Sequence, residues 1–348
     1  MAAAHAADTS PRPAYEWRLP PGFPRPAVPA DNPMSSAKVE LGRRLFHETH
    51  LSSTGRYACA SCHRPELAFT DGRPRALGAT GESLKHSAMS LANVAYNPAF
   101  TWSDARVHSL ESQMRRPLFN RHPVEMGVTG GGRAAVKALS ADAVYRNQFA
   151  AAFPGDAAPI SMANIIKAIA AFERTLISGR SPFDHYVYDD DPTALSDSEK
   201  RGMALFFSSR AGCAQCHSGI NFSGPLIYEG HARQRALFAN TGLYDVDGQG
   251  SYPANDQGLI EVTHRAADMG KFRVPTLRNV ALTAPYMHDG SVATLEQVID
   301  HYARGGRKNP RQDSRIRPLS LSPIERTDLA AFLRSLTDRE FVSDPRFR

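Results

Sequence analysis

Apolar residues recur at helical spacing along much of this chain. Ile165, Ile169, Phe172 and Leu176 follow in steps of four, three and four, which places them on one helix face. Leu329, Phe332, Leu333 and Leu336 share a face in the same way. Ser322-Pro323-Ile324-Glu325 ahead of them has the form of a capping box with proline at the first helical position. Ser196-Asp197-Ser198-Glu199 caps another predicted helix. A further helix is predicted from Leu295 to Tyr302, with Thr294 and Gln297 as its capping box. Leu295, Val298, Ile299 and Tyr302 form its apolar face, and His301 points off that face. The pattern predicts a mainly α chain with little strand.

Two helical frames repeat. Leu41-Gly42-Arg43-Arg44-Leu45-Phe46 precedes Cys59, and Arg201-Gly202-Met203-Ala204-Leu205-Phe206 precedes Cys213. Each is followed by a loop and a CxxCH motif: Cys59-Ala60-Ser61-Cys62-His63 and Cys213-Ala214-Gln215-Cys216-His217. These motifs hold all 4 cysteines of the chain. A four-thiolate zinc site or a pair of disulfides would not explain a histidine directly after the second cysteine in both copies. Covalent haem attachment does: two cysteines bind the porphyrin and the adjacent histidine ligates iron. An N-terminal helix, a CxxCH loop and a C-terminal packing helix describe a cytochrome c-like unit. Two such units, each binding one haem c, are therefore expected: residues 36–190 and 191–348, with the acidic, proline-ended stretch 189–192 as boundary. Residues 1–35 are read as an extended proline-rich arm lying along the surface, with 8 prolines between 11 and 33.

Composition narrows the classes. The 348 residues allow one large or two ordinary domains. A net charge of +6 without basic runs or aromatic-interleaved basic patches argues against nucleic-acid binding. Part of the basic excess is expected to neutralise haem propionates. No run of about 18 apolar residues exists, so no membrane span is expected. Residues 1–10 lack an apolar signal-peptide core, so the sequence reads as a mature secreted protein with an added methionine.

Chemistry at a haem depends on what faces the histidine. A second strong ligand makes an electron relay, and an open side admits peroxide. For the second haem, Met269, Met287, His288 and Tyr302 are candidates, and periodicity alone favours Tyr302 as a core residue. Glu125 sits among apolar neighbours in Pro123-Val124-Glu125-Met126-Gly127. It is either a solvated loop residue or a desolvated acid able to move protons near neutral pH. Trp102 is either core or a stepping stone for electrons between haems.

The chain resembles the MauG and bacterial di-haem cytochrome c peroxidase superfamily over about residues 36–340. The matching stretches are 90–97 (SLANVAYN), 110–113 (LESQ), 123–127 (PVEMG), 171–176 (AFERTL), 273–279 (RVPTLRN) and 285–290 (PYMHDG), besides both CxxCH motifs. The resemblance implies that the haem of Cys59, Cys62 and His63 reacts with hydrogen peroxide, with Gln113 and Glu125 on its distal side and Trp102 between the haems. The spacings from Trp102 to Gln113 and from Pro117 to Glu125 are slightly longer than in the family. The haem of Cys213, Cys216 and His217 would take Tyr302 as second ligand, as in MauG-type enzymes, where the peroxidases have methionine. His288 matches a family histidine near that haem. The distal histidine of the peroxidases has no clear counterpart, His86 and His122 being weak substitutes. The resemblance also implies a calcium ion on the carbonyls of Thr283 and Pro285, with Ser87 where the family has an asparagine ligand.

Residues 17–26 (WRLPPGFPRP) and 31–34 (DNPM) look like the MbnH branch, which is associated with methanobactin and copper handling. The implied function is a periplasmic, monomeric enzyme. It would use peroxide to form a high-valent di-haem state and oxidise a tryptophan of an MbnP-like copper-binding partner to kynurenine. A peroxide-scavenging peroxidase and a di-haem electron carrier are the alternatives.

Overall fold

The computed structural model describes residues 15–348; residues 1–14, the first part of the expected arm, lie outside the described residues. The mainly helical expectation is met. The first half carries α1 (Ser36–Phe46), α2 (Cys59–Cys62), α3 (Leu110–Phe119), α4 (Arg133–Ala141), α5 (Ala143–Ala152), α6 (Met162–Glu173) and α7 (Pro182–Tyr188). The second carries α8 (Asp197–Phe207), α9 (Ile260–Thr263), α10 (Leu295–Ala303), α11 (Pro323–Ser335) and α12 (Arg339–Ser343). Two short antiparallel strands, β1 (Phe238–Ala239) and β2 (Phe272–Arg273), pair Phe238 with Arg273 and Ala239 with Phe272.

Each half is organised by one helix crossing. α1 packs on α6, and α8 packs on α11. A glycine permits both contacts. A Cβ at Gly42 would stand 1.9 Å from the Ala168 carbonyl oxygen and 2.9 Å from Phe172 Cβ. At Gly202 it would stand 1.9 Å from the Asp328 carbonyl oxygen and 2.8 Å from Phe332 Cβ. The absent side chain lets the helix axes approach until backbone meets backbone. Ile165, Ile169, Phe172 and Leu176 are all buried in the first core, and Leu329, Phe332, Leu333 and Leu336 in the second.

The halves are stitched by three crossings. α12 returns to the first half, where Phe341 and Phe347 pack on Phe69 at 5.5 and 6.1 Å between ring centroids. Its N-cap, Asp338, is buried and accepts from Ser178 Oγ, Gly179 N, Arg180 N and Phe341 N. Bonds to a carboxylate are worth about 1.5–3 kcal/mol each. The arm is the second crossing, and it does not merely lie along the surface. Phe23 is buried against Tyr96 and Tyr188, beneath the Arg278 guanidinium. Buried Asn32 donates to Glu111 and to the Lys167 carbonyl. The third crossing is a small cluster of Leu243, Tyr252, Met269 and Phe272, against which Trp102 packs.

α10 departs from the periodic reading in two ways. Thr294 caps it by accepting from Gln297 N, but the Gln297 side chain accepts from Ala293 N, so the box with Thr294 does not close. His301 is buried and hydrogen-bonds through Nε2 to the Thr241 carbonyl at 3.0 Å. Both faces of this helix are covered, which a one-sided apolar pattern does not announce.

Candidate functional site

Both CxxCH motifs are built alike. In the first, α2 holds Cys59 and Cys62, and His63 follows as its C-cap. In the second, Cys213–Gln215 form a single 3-10 turn that leads into Cys216 and His217. His63 Nδ1 lies 2.8 Å from the Phe69 carbonyl, and His217 Nδ1 lies 2.8 Å from the Phe222 carbonyl. Phe69 and Phe222 both have left-handed backbones, at φ 63° and 49°. That conformation is uncommon for a bulky residue and marks a carbonyl held in place by its surroundings. Spending Nδ1 on a carbonyl fixes the tautomer and leaves Nε2 for iron. Burial lowers the pKa of both rings, with the carbonyl bonds opposing it. Neutral imidazole is the ligating form.

A large cavity with mostly apolar walls lies beside the second motif. Cys213, Cys216 and His217 line it, and so does the whole apolar face of α10: Leu295, Val298, Ile299 and Tyr302. Tyr302 is half-buried, and the part left open faces this cavity. Burial pushes its phenol well above the ordinary range, with Cys216 and Cys213 adding to the effect. Ionisation there needs a cation beside the oxygen, which the ferric iron of a bound haem would supply. An apolar slot with two cysteines, a neutral histidine and a cavity-facing phenol fits a c-type haem. Thr283, Pro285, Met287 and His288 also line this cavity, whereas Met269 sits in the small cluster behind it.

Trp102 lines the same cavity and joins it to the first half. Its Nε1 donates to the Ser87 carbonyl at 3.0 Å, and its own carbonyl accepts from Arg273 N at 2.8 Å. Ser90, three residues beyond Ser87, donates its hydroxyl to the Ala68 carbonyl, next to the Phe69 that holds His63. Trp102 therefore bonds a segment tied to the loop of the first histidine while facing the space beside the second.

Glu125 lies near Cys62, on a loop fastened at both ends. Ala79 N donates to the Glu125 carbonyl, Met126 N to that of Pro117, and Val128 N to that of Leu118. Burial raises the Glu125 carboxyl to about 7, against the opposing pull of Arg116. Arg116 is itself turned to Asp104. Gln113 sits on α3 one turn before Pro117, half-buried.

The remaining candidates are placed as follows. His288 is buried and stacked on Phe272 at 3.5 Å, and its Nε2 lies 3.2 Å from Asp256 Oδ2. His86 Nε2 hydrogen-bonds the other Asp256 oxygen at 3.1 Å, and His122 is exposed. Burial opposes ionisation of Asp256, but the two imidazoles beside it outweigh burial and hold the carboxyl below its ordinary range. Ser87 donates its hydroxyl to the Met287 and His288 carbonyls. No cluster of three His, Cys, Asp or Glu side chains suited to a metal ion occurs among the described residues. Sequence reasoning passed over Asp256, which lies far from both histidines in the chain. Glu173, buried near Cys59 and pushed up to about 8 by burial, and Arg273 lie within the matching stretches 171–176 and 273–279, where the sequence alone gives neither a role.

Known proteins share this architecture. A family model described as di-haem cytochrome c peroxidase matches residues 36–192. The chain is 36% identical over 320 residues to the methylamine utilization protein MauG of Methylorubrum extorquens, covering 92% of this chain and 83% of that protein. It is 32% identical over 308 residues to the cytochrome c551 peroxidase of Pseudomonas aeruginosa, covering 88% and 81%. The crystal structure of a MauG-like protein associated with microbial copper homeostasis superposes with a TM-score of 0.92 at 45% identity, covering 96% and 99%. The diheme peroxidase BthA from Burkholderia thailandensis superposes at 0.69 with 22% identity, covering 95% and 97%, a likeness of fold alone.

Proposed function

The chain belongs to the MauG and di-haem cytochrome c peroxidase family and is a di-haem peroxidase-type oxidoreductase, and on that premise we propose that it spends hydrogen peroxide on oxidising a partner protein. The observation that carries this reading is Tyr302, whose phenol faces the cavity that His217 also lines. An anionic oxygen ligand stabilises oxidised iron and lowers its potential, which suits holding oxidising equivalents better than accepting electrons from a small cytochrome. The domain division at residues 190 and 191 belongs to the same proposal, with one haem attached at Cys59 and Cys62 and the other at Cys213 and Cys216.

When bound, the haems supply the iron at which peroxide is reduced to water and the store for the two electrons it takes. The chain supplies the rest. His63 and His217 would hold iron through Nε2, their rings oriented by the Phe69 and Phe222 carbonyls. Glu125, poised near neutrality, takes the proton from one peroxide oxygen and delivers it to the other, and Gln113 orients the pair. Trp102 bridges the two sites for electrons. His288 braces the cavity wall through Asp256. A calcium ion on the Thr283 and Pro285 carbonyls, which we propose only from the family resemblance, would enter no step of this reaction.

The partner is proposed to be an MbnP-like, copper-binding protein of the periplasm whose tryptophan becomes kynurenine. Support comes from the MauG-like relative associated with copper homeostasis, which is similar over nearly the whole of both chains. No helix among the described residues is long and apolar enough to cross a membrane. A monomer is proposed.

The test is a visible and near-infrared spectrum of the ferric protein before and after stoichiometric peroxide. One high-spin and one low-spin haem, with a new near-infrared band after peroxide, is the expected result. Two low-spin haems indifferent to peroxide would make the protein an electron carrier. Rapid turnover with reduced cytochrome c would make it a scavenging peroxidase.

A further inference from the structure

Three arginines are buried among the described residues: Arg174, Arg273 and Arg278. Two have carboxylate partners, Arg174 with Glu111 and Arg278 with Asp184. Arg273 has none. It is 6% exposed, its Nε has no hydrogen-bond partner, and Nη2 reaches only the Met89 sulfur at 3.6 Å. Burial alone lowers its pKa, to about 10, with no anion opposing. A guanidinium stays charged at any ordinary pH. A buried, unpaired guanidinium is expensive and needs an anion to offset it.

Its position says where the anion comes from. Arg273 lines the cavity together with Cys213, Cys216, His217 and Tyr302. β2 holds its backbone: Phe238 is its partner across the two-stranded pair, and Arg273 N donates to the Trp102 carbonyl. A haem fixed there by two thioethers brings two carboxylates of its own. We propose that Arg273 is the counter-ion of a haem propionate at the His217 site, a positioning residue that sets the charge state beside that iron. This rests on the reading that a haem occupies the His217 site.

The charge balance predicts a redox consequence. With Arg273 present, the propionate stays ionised and neutralised. Arg315 and Arg317 also line the cavity, but Arg315 is held by Asp313 and Arg317 reaches the Ser209 carbonyl, so without Arg273 a poorly compensated carboxylate in an apolar slot stabilises ferric iron and the potential falls. The same carboxylate then takes up a proton nearer neutral pH, because burial disfavours its charge. The potential becomes pH-dependent, rising as pH falls.

The experiment is spectroelectrochemical titration of wild type, Arg273→Gln and Arg273→Lys, each with both haems attached, at several pH values. Arg273→Gln should lower the potential of the His217 haem and give it a pH dependence that wild type lacks, while Arg273→Lys stays close to wild type. Unchanged potentials and pH profiles in Arg273→Gln would overturn the assignment. If Arg273→Gln does not retain both haems, Arg273→Lys decides by resonance Raman. Its shorter reach should shift the propionate bending band, and an unshifted band counts against the contact. Wild type is also titrated with chloride. A potential indifferent to chloride supports an internal carboxylate, and one that follows chloride gives the site to a free anion and removes the propionate. A wild-type protein with no Soret absorption after correct maturation would fail the di-haem reading first, before Arg273 is reached.

Discussion

The His63 and His217 regions share a proximal side and differ on the other. In both, a left-handed phenylalanine turns its carbonyl to Nδ1 of the histidine at 2.8 Å. In both, a glycine-backed helix crossing stands behind the motif. The opposite sides have diverged. Near Cys62 stands Glu125, raised to about 7 by burial, on a loop held to α3. Facing the His217 cavity stands Tyr302, on a helix whose whole apolar face lines the space. One side is equipped to move a proton, the other to hold a charge. On the proposed reading, the shared proximal side would hold a haem in each half, and the residues that differ would decide what each haem is for.

The largest effect is expected from exchanging the unrepeated ligand. Tyr302→His should keep both haems attached but abolish the near-infrared band after peroxide, and with it partner oxidation. The contrast between the sites breaks if that variant, checked for two haems by mass, still forms the band.

Glu125→Gln attacks the other side. Loss of a positioned acid–base group should slow peroxide activation roughly 10²–10⁴-fold in stopped-flow measurements, leaving haem attachment intact. Its pH signature follows from the sign of the shift. Glu125 must be ionised to accept the peroxide proton, so activation should rise with pH through about 7 and flatten above it. The stability signature has the opposite sense. The folded-state pKa is raised, so ionisation favours the unfolded chain, and stability falls as pH climbs from the unfolded value, near 4.3, towards about 7. Glu125→Gln should therefore raise Tm at pH 8 relative to wild type and leave it unchanged at pH 4. Activation that is flat across this range would remove Glu125 from proton transfer.

The helices that cross were legible in the sequence, because their 3.6-residue apolar periods and capping residues are local signals; that Gly42 and Gly202 sit at the crossings was not. The candidate attachment cysteines were legible because CxxCH is a local signal. The role of His301 was not. Its partner is the Thr241 carbonyl, sixty residues away, and an isolated histidine on a helix carries no sign of a buried acceptor. Asp256 escaped for the same reason, since the residues it joins, His86 and His288, lie on different halves. Arg273 did leave a trace: a lone cation in Phe272-Arg273-Val274-Pro275, where neighbours on both sides are apolar. Such a run reads as a buried strand, and a charge inside it asks for a partner. Only the cavity shows that the chain does not supply one.

Gly42→Ala and Gly202→Ala test whether the two crossings are equivalent. Each added Cβ meets a backbone oxygen at 1.9 Å, so the helices must separate. Overpacking of this kind costs about 1–3 kcal/mol, or more where backbone cannot yield. Both variants should lower the thermal midpoint by similar amounts. Gly42→Ala should perturb the His63 haem spectrum and Gly202→Ala that of His217. A variant that perturbs both spectra equally would show the halves to be one cooperative unit.

The smallest difference lies in the caps. In the first half, Ser35 and Ser161 each accept one backbone N–H, from Lys38 and Asn164, with no reciprocal acid. In the second half, Ser196 and Ser322 are answered by Glu199 and Glu325, which close full capping boxes on α8 and α11. Serine to alanine at any of the four should cost about 1 kcal/mol by denaturant unfolding. The second half has a further loss to give. Glu325→Ala leaves Ser322 N unanswered and frees Arg210, so Ser322→Ala with Glu325→Ala should exceed Ser161→Ala alone. An exposed ion pair adds only about 0–1 kcal/mol, so most of the excess should survive high salt, as a backbone hydrogen bond does. If the excess vanishes in salt, the acid was serving Arg210 and not the helix end.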